Sequence, residues 1–162
     1  MSAPALPLIL PDWPAPPAVR ACVTTRLGGV SAAPFDSFNP ATHVGDDAQA
    51  VAANRALLRD HLPAEPLWLD QVHGVEVLDA DRERCGTGDA SIAHSAGSVC
   101  AVMTADCLPV LFCNRQGTAV AAAHAGWRGL AMGVLTRTVQ RMGGSPGDIL
   151  AWLGPAIGPD AF

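Results

Sequence analysis

The sequence predicts an α+β domain built on a mixed sheet. Three observations point there. Apolar runs of strand length outnumber the segments with helical periodicity. Two of them, LPVLFCN and TAVAAAHAG, are separated only by NRQG, a hairpin connection foreign to a doubly wound parallel sheet. Of the 162 residues, 49% are hydrophobic and 15% charged, which suits one compact core and argues against disorder.

Taken in order, residues 1–16 are proline-rich and are expected to wrap the surface before AVRACVTT begins a strand. RLGGVSAAPFDSFNPATHVGDD, from Arg26, reads as a long irregular loop; loops of that length tend to be functional. DDAQAVAANRALLRDHL has helical spacing, with Asp46 or Asp47 as cap rather than as an acid/base pair. PLWLDQVHG and VEVLDA read as strands around Gly74. DRERCGTGDASIAHSAG is polar and glycine-rich and reads as a loop. SVCAVMTAD, LPVLFCN and TAVAAAHAG read as buried strands. WRGLAMGVLTRTVQRM reads as one amphipathic helix closed by Gly143 and Gly144, and DILAWLG as a last strand.

Composition excludes several chemistries. All ten basic residues are arginine, so neither a Schiff-base lysine nor a Walker phosphate loop can be built. Without tyrosine, no phenol can act as acid or base. A net charge of −5 leaves no electrostatic footprint for nucleic acid or an anionic membrane. The five cysteines are an odd set without CxxC spacing, which fits a reducing cytoplasm better than a disulfide framework. LPLIL is too short for a signal core, and no apolar run reaches membrane-spanning length.

The chemistry-bearing residues sit at strand ends. His124 lies near the end of one strand, Gly126 turns the chain, and the N–H groups of Trp127, Arg128 and Gly129 open a helix. Such a terminus, with the charge of Arg128, suits a phosphate, a carboxylate or a developing oxyanion. The plainer alternative is a solvent-facing arginine and a core histidine bonded to a carbonyl. Cys107 stands at an Asp–Cys–Leu–Pro strand boundary, whereas Cys100 and Cys113, inside apolar runs, read as core thiols. His73 ends a strand just before Gly74. Two histidines and a cysteine can form a catalytic zinc site with one open position, or a Cys–His nucleophile pair. Spacing leaves both open. His43 is a weaker fourth candidate, His61 and His94 are expected to be solvated, and Trp127 to pack inside.

The motifs TTRLGGVS, HVGDD, QVHG, TADCLPV, AHAGWRG and GPAIGP stand in the order found in the YfiH-like family, which the chain resembles from about Arg26 onward. That family is known both as multicopper polyphenol oxidoreductases (laccases) and as purine nucleoside phosphorylases. The resemblance implies zinc held by His73, Cys107 and His124. It also implies phosphorolysis of adenosine, inosine and methylthioadenosine, with deamination of adenosine beside it. Some bacterial members resemble peptidoglycan-editing hydrolases, which would make Cys107 a nucleophile and His124 its base. The implied fold is an αββα sandwich of mixed sheets, similar to the catalytic domain of cytotoxic necrotizing factor. Residues 1–162 then form a single YfiH-like domain, expected to lack its C-terminal third because family members continue past GPAIGP.

Counting weighs against the laccase name. A blue-copper site with a three-copper cluster needs roughly ten histidines by the usual ligand preferences, and the chain has five. Copper is therefore the lesser alternative, with Met103 a conceivable axial ligand. A three-ligand zinc instead lowers the pKa of bound water to about 7, chemistry that other deaminases apply to adenine. Phosphorolysis adds a bound phosphate. Arg26 and Arg128 are the expected phosphate contacts, and Gly28 and Gly29 would let backbone approach the anion. Cys107, His124 and Arg26 are thus expected to carry catalysis on a small-molecule partner, a purine nucleoside with phosphate. GDASIAH departs from the family, where an apolar strand more often follows the Asp-Ala pair, and this weakens any role for Asp89.

Overall fold

The structure, a computed structural model, describes residues 6–162. The chain divides into two compact units. One comprises Ala21–Pro63 with the described part of Met1–Pro11; the other comprises Asp12–Arg20 and Ala64–Phe162.

In the first unit, β1 (Leu8–Ile9) pairs antiparallel with β2 (Val23–Thr24). The proline-rich start thus supplies a short strand rather than only a wrap, and its first five residues lie outside those described. α1 (Ala48–Arg59) begins at Asp47, whose carboxylate accepts the Ala50 N–H at 3.0 Å. The long loop before it is irregular, as expected, and is organised by one helix residue. Asn54 is fully buried; it accepts the Val30 N–H at 2.9 Å and donates to Ser31 Oγ at 2.9 Å and the Asn39 carbonyl at 3.0 Å. A loop without ladder bonds needs such a partner for its backbone polar groups.

The second unit contains a five-stranded sheet in the order β4-β6-β8-β7-β9. Its strands are β4 (Val77–Asp79), β6 (Ala90–Ala93), β7 (Leu108–Asn114), β8 (Val120–Ala125) and β9 (Ile149–Leu153). Only the β4–β6 pair is parallel. β3 (Trp68–Asp70) and β5 (Cys85–Thr87) form a separate parallel pair. The class is therefore α+β with mixed sheets. Val110, Phe112, Ala121, Ala123 and Ile92 pack one sheet face against α3 (Val134–Met142), through Val134 and Met142. The small residues of AAAHA bring β8 into the centre of this layer, where every strand residue after Val120 is buried.

Three expectations need correction. GDASIAH is not loop: it contains β6, buried throughout. Asp89 and Ser91 mislead because they are polar yet inaccessible to solvent; tertiary pairing with β4 and β8 overrides local composition. SVCAVMTAD forms no strand. It makes one isolated bridge, Cys100 to Leu67, and its apolar residues Cys100 and Val102 pack on Leu67, Leu69 and Leu78. The apolar run signals burial, not a ladder. The last helix is two: α2 (Trp127–Met132) stops at Gly133, φ 92°, and α3 starts there. A glycine in the left-handed region ends a helix at little cost, and its N–H closes on the Gly129 and Leu130 carbonyls.

Candidate metal centre

Antiparallel pairing of β7 with β8 sets Pro109 opposite His124, so Cys107 emerges at the sheet edge beside the histidine strand. His73 comes from the turn after β3. His73, Cys107 and His124 present one ligand atom each, and these atoms all lie within 4.8 Å of one another. The Cys107 Sγ to His73 Nε2 distance is 3.7 Å. The two imidazoles meet edge to face, with centroids 4.6 Å apart and planes at 74°. Three residues separated by up to 51 positions thus converge.

Asp89 arranges the two histidines. It is fully buried, and its Oδ1 lies 2.8 Å from His124 Nδ1. The same oxygen accepts the His73 N–H at 2.8 Å, while Oδ2 accepts the N–H groups of Gly74 at 2.7 Å and Val72 at 3.2 Å. Burial pushes the Asp89 carboxyl up, but the His124 ring and the three amide donors outweigh it and hold the group below the usual carboxylate range. A carboxylate at Nδ1 makes that nitrogen the donor and leaves Nε2 as the lone-pair ligand.

The grip also explains the His73 backbone. His73 is the non-glycine residue with positive φ, 60°, among those described. The left-handed conformation costs roughly 1–2 kcal/mol. Three charge-assisted amide bonds to one carboxylate, each worth about 1.5–3 kcal/mol, are enough to impose it. The departure from the family pattern at GDASIAH points away from Asp89, and the structure corrects that. The usable signal is a carboxylate directly preceding a strand of small residues, since a buried acid must have partners.

Gly126 shapes the centre from the fourth side. A Cβ there would stand 2.7 Å from His73 Cδ2, 3.1 Å from Cys107 Sγ and 3.4 Å from His124 Nε2. Only hydrogen fits between α2 and the ligand cluster. Gly129 permits a similar close approach, since a Cβ on it would lie 2.8 Å from the Gly74 carbonyl.

The donor set fits a metal. Zinc–sulfur near 2.3 Å and zinc–nitrogen near 2.05 Å at a tetrahedral angle require an S···N edge of about 3.6 Å, close to the 3.7 Å of Cys107 and His73. Two imidazoles and a thiolate leave one tetrahedral position for water or substrate. A His₂Cys set also suits copper, so the donors alone do not choose the ion.

Arg128 is exposed, its guanidinium 5.2 Å from the Trp127 ring centroid. Trp127 is 61% exposed, contrary to the expected core packing; as the first residue of α2 it follows the buried turn at Gly126. In the first unit, Arg26 is exposed and donates to the Asp36 carbonyl at 2.8 Å and carboxylate at 3.1 Å. The Gly29 N–H donates to Ser37 Oγ at 3.2 Å, and a Cβ on Gly29 would collide with the Ser37 carbonyl and Asn54 Oδ1. Gly28 has φ 89°. His43, His61 and His94 are exposed. Met103 offers its backbone to Gln71. No helix among the described residues is long and apolar enough to cross a membrane.

Comparison with known proteins agrees with the motif order. Residues 20–162 match the family described as multi-copper polyphenol oxidoreductase laccase. The chain is 61% identical over 154 residues to the purine nucleoside phosphorylase PA4543 of Pseudomonas aeruginosa, covering 95% of this chain and 64% of that protein. It is 57% identical over 159 residues to the purine nucleoside phosphorylase YfiH of Escherichia coli, covering 96% and 65%. The crystal structure of the Neisseria meningitidis protein NMB0706 superposes with a TM-score of 0.89 at 48% identity, over 96% of this chain and 65% of that one. That of YlmD from Geobacillus stearothermophilus gives 0.81 at 32% identity, over 96% and 68%. The chain therefore spans just under two thirds of the length of the curated relatives named.

Proposed function

Because the chain belongs to the multi-copper polyphenol oxidoreductase laccase family, we infer that its His₂Cys cluster is the metal centre of a zinc-dependent purine nucleoside phosphorylase. The substrates proposed are adenosine, inosine and methylthioadenosine, with deamination of adenosine as a side activity. The observation that carries this reading is the convergence of His73, Cys107 and His124 around one point, with His124 held by a buried carboxylate. The names of the relatives support the reaction class.

His73 Nε2, Cys107 Sγ and His124 Nε2 would hold the ion. Bound there, zinc supplies Lewis acidity toward an oxygen or nitrogen of the substrate and lowers the pKa of a coordinated water. The protein's own groups do the rest. Asp89 fixes the His124 tautomer and holds the His73 turn in its left-handed conformation. Arg128, exposed beside the buried turn at Gly126, is the proposed phosphate fork of this unit. Arg26 is the proposed second phosphate contact and catalytic arginine, with Gly28 and Gly29 beside it. Its pairing with Asp36 is solvent-exposed, and such pairs contribute little and are readily exchanged.

The test is direct. Zinc-loaded protein incubated with inosine and phosphate should release hypoxanthine and ribose 1-phosphate; with adenosine it should also yield inosine. Confirmed zinc without phosphate-dependent base release overturns the phosphorylase reading.

A second reading rests on a specific arrangement: Asp89 is bonded to His124, and Cys107 Sγ lies within 4.8 Å of a ligand nitrogen of that imidazole. Asp89, His124 and Cys107 follow the order carboxylate, imidazole, thiol seen in nucleophilic hydrolases. A metal-free Cys–His hydrolase acting in peptidoglycan precursor editing would keep its activity in chelator and form an adduct on Cys107; the zinc enzyme would lose activity in chelator.

A further inference from the structure

Two sides of the ligand triangle are accounted for: the β7–β8 ladder relates Cys107 to His124, and Asp89 relates His124 to the His73 turn. The remaining side, from His73 back to Cys107, crosses two irregular segments that no ladder joins. Between them stands Gln71. Its Nε2 donates to the Met103 carbonyl at 2.7 Å, and its Oε1 accepts the Met103 N–H at 2.7 Å. A side-chain amide bonded both ways to one residue reproduces the pairing that a neighbouring strand would offer. Gln71 stands two residues before His73, and Met103 four before Cys107.

We propose that Gln71 is a positioning residue of the metal centre: its amide clamps the Met103 backbone and so sets the distance between the His73 turn and the Cys107 thiolate. This rests on the metal-centre reading above. It closes the circuit from His124 through Asp89, His73, Gln71, Met103 and Cys107 back to the β7–β8 ladder. Without the clamp, residues 101–107 lose both bonds to the His73 loop, and the Sγ to Nε2 edge of 3.7 Å is no longer enforced from that side. Bonds to residues outside the site would have left Gln71 a staple for a loop; its placement between two ligand segments makes the ligand geometry depend on it.

The experiment compares wild type, Gln71→Ala and Gln71→Glu, titrated with Co²⁺ as a spectroscopic substitute for zinc. Gln71→Ala is expected to bind Co²⁺ about tenfold or more weakly, as supporting-residue losses typically do, and to show weaker thiolate-to-cobalt and d–d bands. Gln71→Glu, which keeps the acceptor and loses the donor, should fall between. An affinity within twofold of wild type and an unchanged spectrum in Gln71→Ala overturn the proposal. Should Gln71→Ala fail to fold, Gln71→Glu carries the same comparison. If wild type itself gives no cobalt–thiolate band, the metal reading fails on its own, and the clamp is then read in the metal-free protein. Faster Met103 amide exchange with an altered Cys107 alkylation rate, Cys85 unchanged, upholds it; unchanged Cys107 alkylation overturns it.

Discussion

Asp89 Oδ1 lies 2.8 Å from His124 Nδ1, and that one oxygen also receives the His73 amide at 2.8 Å. One atom thus orients the ring of one ligand and the backbone of another. Asparagine at position 89 keeps the shape and removes the charge. Wherever its NH₂ lies, at least one of the donors now served by a carboxylate oxygen faces another donor. D89N is expected to weaken metal binding by about 10–100-fold and to lower stability by on the order of 2–4 kcal/mol, the cost of buried donors left unmet. Metal titration and urea unfolding of the metal-free protein separate the two effects. Wild-type affinity in D89N would mean that the carboxylate serves the turn alone.

Two glycines of one turn-helix segment should behave oppositely. Gly126 has φ −58° and ψ 151°, which alanine adopts freely, but its Cβ would enter the ligand cluster. Gly133 has φ 92°, which alanine resists, but nothing lies within 4 Å of its Cβ. G126A is expected to lose metal affinity tenfold or more while folding. G133A is expected to lose roughly 1 kcal/mol of stability through backbone strain and to bind metal as wild type does. Equal metal affinity in G126A and G133A would contradict the steric account of Gly126.

Much of this centre is legible in the sequence. His73 follows β3 and His124 lies near the end of β8, each shortly before a glycine, while Cys107 stands just before β7 begins, and side chains at strand boundaries project where loops converge. β7, β8 and their NRQG hairpin are legible for a related reason: apolar runs with a turn between them. What stays hidden depends on partners distant in sequence. Asp89 and Ser91 look like loop residues until β4 and β8 bury them. Gln71 is an ordinary polar residue until Met103 arrives beside it. Gly133 reads as a tolerated helix glycine, because nothing local reports its positive φ.

Four of the five cysteines, those of the second unit, should divide by environment. Cys113 is fully buried on β7, and burial pushes its thiol up. Burial likewise pushes Cys100 up to about 12, so it holds almost no thiolate at neutral pH. Cys85 is exposed, and Cys107 lies partly buried at the ligand cluster. With native metal-free protein, a thiol reagent at pH 7.5 is expected to modify Cys85 and Cys107 and to spare Cys100 and Cys113. Saturating zinc should then protect Cys107 selectively, since the reagent needs the same sulfur lone pair. Peptide mapping of the labelled sites checks this. Modification of Cys107 at an undiminished rate under zinc would remove it from the ligand set.

The acid limb of stability should carry the signature of Asp46. Its carboxylate accepts Ser31 Oγ at 2.6 Å and Asn39 Nδ2 at 3.0 Å, and these bonds hold it below the usual carboxylate range. A carboxyl whose folded pKa lies below its unfolded value of about 3.9 stabilises the fold above that value. As pH falls through the folded pKa, the unfolded chain has already taken up its proton and the advantage disappears. Wild type is therefore expected to exceed D46N in stability by a constant margin from pH 7 to about 5. The margin should shrink below about pH 4, because the neutral amide of D46N does not titrate there. Urea midpoints measured between neutral and acid pH test this. A margin that stays constant down to the acid end would show that Ser31 and Asn39 contribute nothing specific to the ionised form.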